Sequence, residues 1–397
     1  MRLAIVASHP VQYYAPLFRL LAQRLELKVF FAHRATKNDQ AKAGFGVEFE
    51  WDVDLLSGYD QVFLDNVAKM PSLDRFNGCD TPHVKEALAV AQCDAVLILG
   101  WHLKAYVQAL FAAKRLGLPL LVRGDSHLDT PRSTSKRMAK AVLYPPLLRL
   151  FDAALYVGER SRAYWKRYHY PEKRLFFSPH CVDTEWFAQR ATLDARAQLR
   201  AKWGIGSDAK VALFAGKLLP FKRALDLVTA AAQMKKDGHP LQILIAGAGP
   251  QEAEIRAVAK AQDVPLHMLG FCNQTAMPSA YAAADVVVLP SEHETWGLVA
   301  NEALACGRPI VLADTVGSAP DLAADRTVGR VFPCGDVGAL AAALHQVFTT
   351  PPAPHAIMKK TREYSLDAAA DGVQAALAAT RRTRRFVFPI GAERRLP

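Results

Sequence analysis

Cysteine is sparse in this sequence, long apolar runs and low-complexity stretches are missing, and each lack excludes a class of protein. The six cysteines (Cys79, Cys93, Cys181, Cys272, Cys306 and Cys334) form no CxxC pair and have no CxxH partner. That argues against a zinc site and against a disulfide framework, and it fits a reducing cytosol. No apolar stretch approaches the roughly 20 residues of a membrane-spanning helix, so the chain is not expected to cross a bilayer. The opening MRLAIVASHP is too short for the apolar region of a signal peptide and reads as a first strand. No segment is polar or repetitive enough to be disordered, the extreme C-terminus apart. A dinucleotide fingerprint is also incomplete: GAGPQEAEI, from Gly247, lacks the third glycine and the spaced acid, which disfavours hydride transfer.

What is present is an ordinary globular composition, 51% hydrophobic and 22% charged, over 397 residues. That length exceeds what one core usually supports and implies two domains. The net charge of +11 favours anionic partners. Short runs rich in Val, Ile, Leu and Phe alternate with amphipathic stretches, the pattern of α/β units that build parallel sheets covered on both faces. One series of strands begins at Leu3, Leu27, Ala95, Leu118, Ala153 and Arg174, and a second at Val211, Ile243, Leu266, Asp285, Pro309 and Val328. In the helical stretch YVQALFAAKRLG, Val107, Leu110 and Phe111 share the face expected to pack on the sheet, and Gly117 ends the helix. Between the two series, Pro179 and the capping residue Asp183 mark a crossing. The expected units are residues 1–181, residues 182–375 and a basic extension, 376–397. Ligands of doubly wound sheets bind beyond the carboxyl ends of the strands, so function is expected in loops that face each other across a cleft.

The most informative segment is PSEHETWGLVANEALACGRPIVLAD, Pro290 to Asp314. A buried strand leads into a loop holding Glu294, and a helix from Gly297 to Ala305 carries Glu302 in its second turn. Helical side chains tilt toward the N-terminus, so Glu302 leans into the space that Glu294 overlooks. That space is also a helix N-terminus, where the amides after Gly297, Leu298 first among them, favour a phosphate. Carboxylates only accept hydrogen bonds, so two of them beside an anion site suit a ligand bearing both hydroxyls and phosphates, as a nucleotide sugar does. A second element, LFAGKLLPFKRALDLV from Leu213, ends a strand at Gly216 and places Lys217 and Lys222 in the following turn. Alone, such lysines are usually just solvated; in a strand-exit loop they are candidates for the diphosphate.

Together these residues resemble the large retaining glycosyltransferase family with the GT-B fold, called family 4 or group 1. The resemblance rests on Glu294 and Glu302, separated by seven residues and followed by Ala303, Gly307 and Pro309. It implies two Rossmann-like domains, a nucleotide diphosphate sugar of UDP or GDP type as co-substrate, no further cofactor, and transfer with retention. It assigns Glu294 to the donor sugar, with a catalytic role, and Glu302 to the ribose hydroxyls. It assigns Gly216, Lys217, Lys222, Gly297 and Leu298 to the donor phosphates. Lys217 stands where the family usually has arginine, which keeps the charge and loses the bidentate fork. The loop at Gly247 is implied to lie near the same phosphates. Phe271 and Asn273, in the loop after another strand, are either neighbours of the nucleotide base or core and capping residues.

The N-terminal half follows the family more loosely and resembles a branch with a His-Pro-x-Gln-Tyr opening. In place of paired glycines it has SHPVQYYAPLFRLL, which makes His9, Gln12 and Tyr13 acceptor-side candidates; for His9 a buried, satisfied role is the alternative. A catalytic-region histidine is implied near LPLLVRGDSHL. The expected position falls on Asp125, and a two-residue shift selects His127, with His102 a lesser candidate. Asp52-Val53-Asp54 forms a DxD, the metal signature of a different glycosyltransferase fold, and reads here as surface acids beside a turn at Gly58. Lysines, amides and a helix terminus already face the diphosphate, so no metal is expected.

Two basic segments bear on location. STSKRMAKAVLYPPLLRLF, from Ser133, mixes cations with apolar residues as anionic lipid surfaces require, with Pro145 and Pro146 expected to interrupt a long helix. The alternative is a core-packed helix with solvated lysines. The tail from Arg381 either faces a membrane or follows a last helix back over the N-terminal domain. The expected partners are therefore a nucleotide sugar, a glycan or lipid-linked acceptor and an anionic membrane surface, for an enzyme of cell-surface polysaccharide or glycolipid assembly in the cytoplasm. Nucleic acid is not among them, for want of an aromatic-interleaved basic patch. Two rivals are a GT-B nucleotide-sugar epimerase, which would consume donor without acceptor, and an inactive sugar-nucleotide binding protein.

Overall fold

The computed structural model describes residues 1–37, 47–129 and 133–385, with the side chains of 381–385 left aside. The tail from 386 onward therefore lies outside the described residues. Thirteen strands among them are β1 (Arg2–Ala7), β2 (Glu26–Phe31), β3 (Asp60–Phe63), β4 (Ala95–Ile98), β5 (Leu120–Gly124), β6 (Ala153–Tyr156), β7 (Leu175–Phe177), β8 (Val211–Ala215), β9 (Gln242–Ala246), β10 (Leu266–Gly270), β11 (Val286–Leu289), β12 (Ile310–Ala313) and β13 (Gly329–Phe332). They form two all-parallel sheets, ordered β3-β2-β1-β4-β5-β6-β7 and β10-β9-β8-β11-β12-β13. In both, chain order reverses beside the first strand, between β1 and β4 and between β8 and β11, the place where such sheets open a ligand crevice. The runs that build them, such as Leu3 to Ala7 and Val286 to Val288, are almost wholly buried because helices cover both faces. Strand β3 is missing from the expected series: it is an edge strand of mixed sequence, DQVF, paired to β2 and pinned by Lys28 to Asp60 at 3.1 Å.

Two helices depart from expectation. In Lys104–Arg115 the buried stripe is Tyr106, Ala109, Leu110 and Ala113, and Phe111 is 52% exposed. The small alanines let the helix approach the sheet closely, so the packed face is rotated from the one the largest apolar residues mark. Gly117 does end this helix, at φ +64° with its amide on the Lys114 carbonyl. The helix Thr134–Leu148 runs through Pro145 and Pro146. Both sit in its last turn, where they remove the amides that would have met the carbonyls of Ala141 and Val142 and leave the preceding turns intact.

The crossing between domains is fixed by polar contacts. Arg123 of β5 is 2% exposed and donates to the carbonyls of Ser178 (3.2 Å) and Pro179 (2.7 Å), so its charge is buried but solvated by carbonyls. Asp183 then caps the helix Thr184–Arg190 by accepting from the Trp186 amide at 3.0 Å. From Val182 to Ile357 one continuous apolar cluster fills the second domain. The chain then returns: in the helix Leu366–Arg385, Ala369, Ala370, Val373, Ala376 and Leu377 pack into the cluster of Leu3, Ile5, Leu17 and Phe18. The return thus begins before residue 376. Arg24 reaches Asp371 at 2.7 Å, and Ser178 donates to the Ala369 carbonyl at 2.9 Å.

The domains also meet directly. Trp296, 4% exposed, lies over Gly158, where an added Cβ would stand 2.3 Å from the indole. Beside it the carboxylate of Asp321 accepts the amide of Glu159 (3.0 and 3.2 Å), capping the helix Glu159–Arg167 from the opposite domain, and also accepts from the Tyr364 hydroxyl at 3.0 Å. A further contact joins Phe49 to Phe271 (ring centroids 4.5 Å), Asn273 to the Glu50 carbonyl (2.7 Å) and the Thr275 amide to Asp52 (3.2 Å). Asp52 is therefore a bridge between domains, while Asp54 accepts from the amides of Leu56 and Ser57 within its turn.

The returning helix touches β7 so closely that a Cβ at Gly372 would lie 1.9 Å from the Phe177 carbonyl oxygen. Gly372→Ala is expected to lower stability by about 1–3 kcal/mol in urea unfolding, as overpacking does. An unchanged midpoint would show that this contact does not hold the helix.

Candidate active site between the two domains

The exits of β8 and β11, on either side of the reversal in the second sheet, build one wall of a cavity of about 1380 Å³. After β8, Gly216 sits at φ +149° and Lys217 follows into the cavity. This loop rests on the glycine-rich turn after β9: Gly247 and Gly249 leave room for the carbonyls of Gly216 and Leu218, which a Cβ would approach to 1.8 and 2.7 Å. The two glycines thus back the lysine loop and do not line the cavity themselves. Lys222 ends the short turn Pro220–Lys222. The next residue, Arg223, has φ +55° and turns away, held by Asp226 and Glu292, each at 2.7 Å.

After β11 the chain is tied down from both sides. The Glu292 amide donates to the Phe221 carbonyl (2.8 Å), and the Gly317 amide to the Glu294 carbonyl (2.9 Å). Gly317 is required there, because a Cβ would stand 1.9 Å from the Thr295 carbonyl oxygen. Gly297, at φ +91°, turns the chain into the helix Leu298–Ala305, whose first amides open on the cavity. Glu294 and Glu302 both reach the cavity. Glu294 pairs with Lys222 in a short contact, the two side chains being 22% and 17% exposed. Glu302 accepts from the hydroxyl of the fully buried Tyr281.

The opposite wall belongs to the N-terminal domain: Gln12, Tyr13, His127, Asp129, Glu159 and Arg160. Arg160 bonds Asp129 at 2.9 Å and the Thr315 carbonyl at 3.2 Å, tying this wall to the loop after β12. His127 Nδ1 stands 3.6 Å from Asp129, too long for a hydrogen bond, and is buried without a partner, as is Gln12 Oε1. His9, His102, Asp125, Phe271 and Asn273 do not line the cavity. His9 is 3.0 Å from the Ser8 hydroxyl, His102 packs on Tyr106, and Asp125 lies 3.6 Å from His180. Phe271 and Asn273 are engaged with the N-terminal domain, as described above.

Residues 195–364 match the family model described as Glycosyl transferases group 1. The match takes in the lysine loop, both glutamates and the β12 exit, and leaves the wall from Gln12 to Arg160 outside. A D-inositol 3-phosphate glycosyltransferase of Saccharomonospora viridis is 34% identical over 232 residues, 55% of this chain and 48% of that protein. An alpha-D-kanosaminyltransferase of Streptomyces kanamyceticus is 28% identical over 227 residues, 55% and 58% of the two chains. The chain thus spans about half the length of the curated relatives it matches. Two solved structures extend the likeness to nearly the whole molecule. A glycosyltransferase of Rickettsia africae has TM-score 0.69 at 12% identity, covering 95% of this chain and 98% of that one. The Anabaena protein HepE in complex with UDP has TM-score 0.66 at 16% identity, covering 98% and 99%. The fold is GT-B.

In this GT-B cleft burial sets the charge states. It pushes the Glu302 carboxyl up to about 7, against the pull of the Tyr281 hydroxyl. Burial and the neighbouring Lys222 lower Lys217, with Glu294 acting the other way. Burial lowers His127, which favours neutral imidazole. At the domain contact burial raises Asp321 to about 6. For Asp125, the hydrogen bond and charge of His180, with Arg123, outweigh a burial effect that alone would raise it.

Several lining residues were not anticipated: Asp129, Glu159 and Arg160 on one side, Asp314 and Thr315 on the other. The signal for the last two was present, since PIVLADTVGSAP is also a strand exit. His180 was missed too; it sits at the crossing, where its carbonyl accepts from Asn301 (3.2 Å), which in turn accepts from Trp296 (2.8 Å).

The raised Glu302 gives a signed pH dependence. Its folded value, about 7, lies above the ordinary 4.5, so the folded state holds a proton the unfolded state has lost, and that stabilisation disappears as pH rises through this window. Wild type is therefore expected to lose stability relative to Glu302→Gln between pH 4.5 and about 7 in urea unfolding. Parallel curves would place the titration elsewhere.

Proposed function

We propose that the protein transfers a sugar from a nucleoside diphosphate donor, held by the group 1 domain, to an acceptor hydroxyl presented from the N-terminal wall. The observation that carries this is the grouping of Lys217, Lys222, Glu294, Glu302 and the start of the helix Leu298–Ala305 around one cavity. The lysines and helix amides suit a diphosphate, and the carboxylates suit hydroxyls. Glu302, at the buried end, is assigned the ribose, and Glu294 the transferred sugar. As the glycosidic bond breaks, negative charge gathers on the leaving diphosphate, where Lys217, Lys222 and the amides would stabilise it without a metal ion. His127 and Gln12, each with a buried polar atom that has no hydrogen-bond partner, are assigned to the acceptor side. Retention, a hexosyl donor of UDP or GDP type, a glycan or lipid-linked acceptor and a role in cell-surface polysaccharide or glycolipid assembly complete the reading. Its support is the sequence resemblance, together with relatives whose names state transfer to an inositol phosphate or of a kanosaminyl group and a neighbour solved with UDP.

The pairing of Lys222 with Glu294 gives this site a particular order of events. A diphosphate that draws Lys222 away from Glu294 frees the carboxylate for the sugar hydroxyls. Lys222→Ala is expected to weaken nucleoside diphosphate binding about tenfold to a hundredfold in calorimetry. Glu294→Gln removes the competing carboxylate and is expected to leave that affinity unchanged or tighter while turnover falls sharply. Glu302→Ala is expected to weaken diphosphate and intact donor alike, and Lys217→Arg to be tolerated. Glu294→Gln turning over at the wild-type rate, or Lys222→Ala binding as wild type, would refute the assignment. Transfer is expected to persist in excess EDTA, and loss restored by magnesium or manganese would reject the metal-free leaving group.

A further inference from the structure

The helix Thr134–Leu148 is held to the molecule by a single stripe. Lys140 approaches the Tyr144 ring at 4.4 Å and the Tyr164 hydroxyl at 3.5 Å, Tyr144 packs on Tyr168 at 5.2 Å, and Leu148 is the only buried residue. The stripe is i, i+4, i+8, and around the rest of the helix every side chain but the half-buried Pro145 is exposed. Met138, Val142, Leu143 and Leu147 are 68%, 74%, 63% and 43% exposed. A helix this short owes most of its stability to a buried apolar face, and this one leaves its apolar face open. Lys136 and Arg149, both exposed, flank that face at its two ends, with long stems that let the charge stay in water while the helix lies on an apolar surface. From Ser133 to Phe151 the sequence carries four cations and no acidic residue.

We propose that this face docks on the surface of an anionic lipid bilayer, the apolar side chains entering the headgroup boundary and the cations meeting lipid phosphates. Charge selects this occupant: a second copy of the chain, with net charge +11, would bring like charge against Lys136, Arg137 and Arg149. The helix begins a few residues after His127 and Asp129, so docking brings the acceptor side of the cleft toward the headgroups and makes the acceptor a lipid-borne one. That second step rests on the transferase reading; the docking itself does not.

The 397-residue chain is mixed with vesicles of phosphatidylcholine alone or with about one third phosphatidylglycerol, and the bound fraction is read after sedimentation. Binding is expected to the anionic vesicles, at least about tenfold above the neutral ones at low salt, with release as salt rises. The double variant Val142→Ser, Leu143→Ser is expected to lower partition at least about tenfold, and Lys136→Ala about fivefold. All these positions are exposed, so the fold should survive, and unchanged affinity for nucleoside diphosphate verifies it independently of lipid. Equal partition to both vesicle types, or wild-type binding by the double variant, overturns the proposal. So does concentration-dependent self-association in analytical ultracentrifugation that the double variant abolishes, since it gives the face to a second copy.

Discussion

The cleft depends on one contact, the indole of Trp296 against the bare backbone of Gly158, closed by Asp321 accepting the amide of Glu159. Trp296 is part of the segment that carries both glutamates, and Glu159 begins the helix that carries Arg160, so the contact sets the distance between the two walls. No side chain fits between ring and glycine. The carboxylate completes the cap of a helix whose own sequence offers Gly158 in place of a capping side chain. From Trp296 the connection continues inward through Asn301 to the carbonyl of His180, at the crossing itself. The donor-side helix is thereby bonded to the chain segment about which the two domains are joined.

Charge in the cleft is arranged in layers. Arg223 is neutralised by Asp226 and Glu292 and withdrawn; Arg160 is spent on Asp129 and on carbonyls of the other domain. The charged groups that face the open volume include Lys217, Lys222, Glu294 and Glu302, with Lys222 and Glu294 already bonded together. Such an arrangement is poised between cation and anion, and a ligand has to supply both signs of partner at once. A simple anion that draws Lys222 away leaves Glu294 without its cation.

Much of this was legible in the sequence because the strands are buried on both faces and so appear as unbroken apolar runs, each followed by a loop that must lie on one side of its sheet. The seven-residue spacing of Glu294 and Glu302 could be turned into a shared space by helix geometry alone. What escaped reading lacked such a signature. The edge strand Asp60–Phe63, DQVF, is short, half polar and without alternation, and it depends on pairing with a distant segment. Phe111 misled because the face it shares with Val107 and Leu110 by helical spacing was expected to pack, whereas the alanines of the neighbouring stripe decide how near the helix comes. Gly247 and Gly249 serve carbonyls of a neighbouring loop, which no local pattern announces, and Arg160 and Asp321 matter only once two domains face each other.

The return of the last helix gives the chain an unusual order of completion. The second domain is continuous in sequence, so its core is whole as soon as residue 357 has been made. One face of the first domain's sheet, formed by Leu3, Ile5 and their neighbours, waits for Ala369 to Leu377, which follow the whole second domain in the chain. Of the two domains, the one made earlier is thus completed after the other, and its uncovered apolar face is the surface that the nascent chain must keep from other partners until that helix emerges.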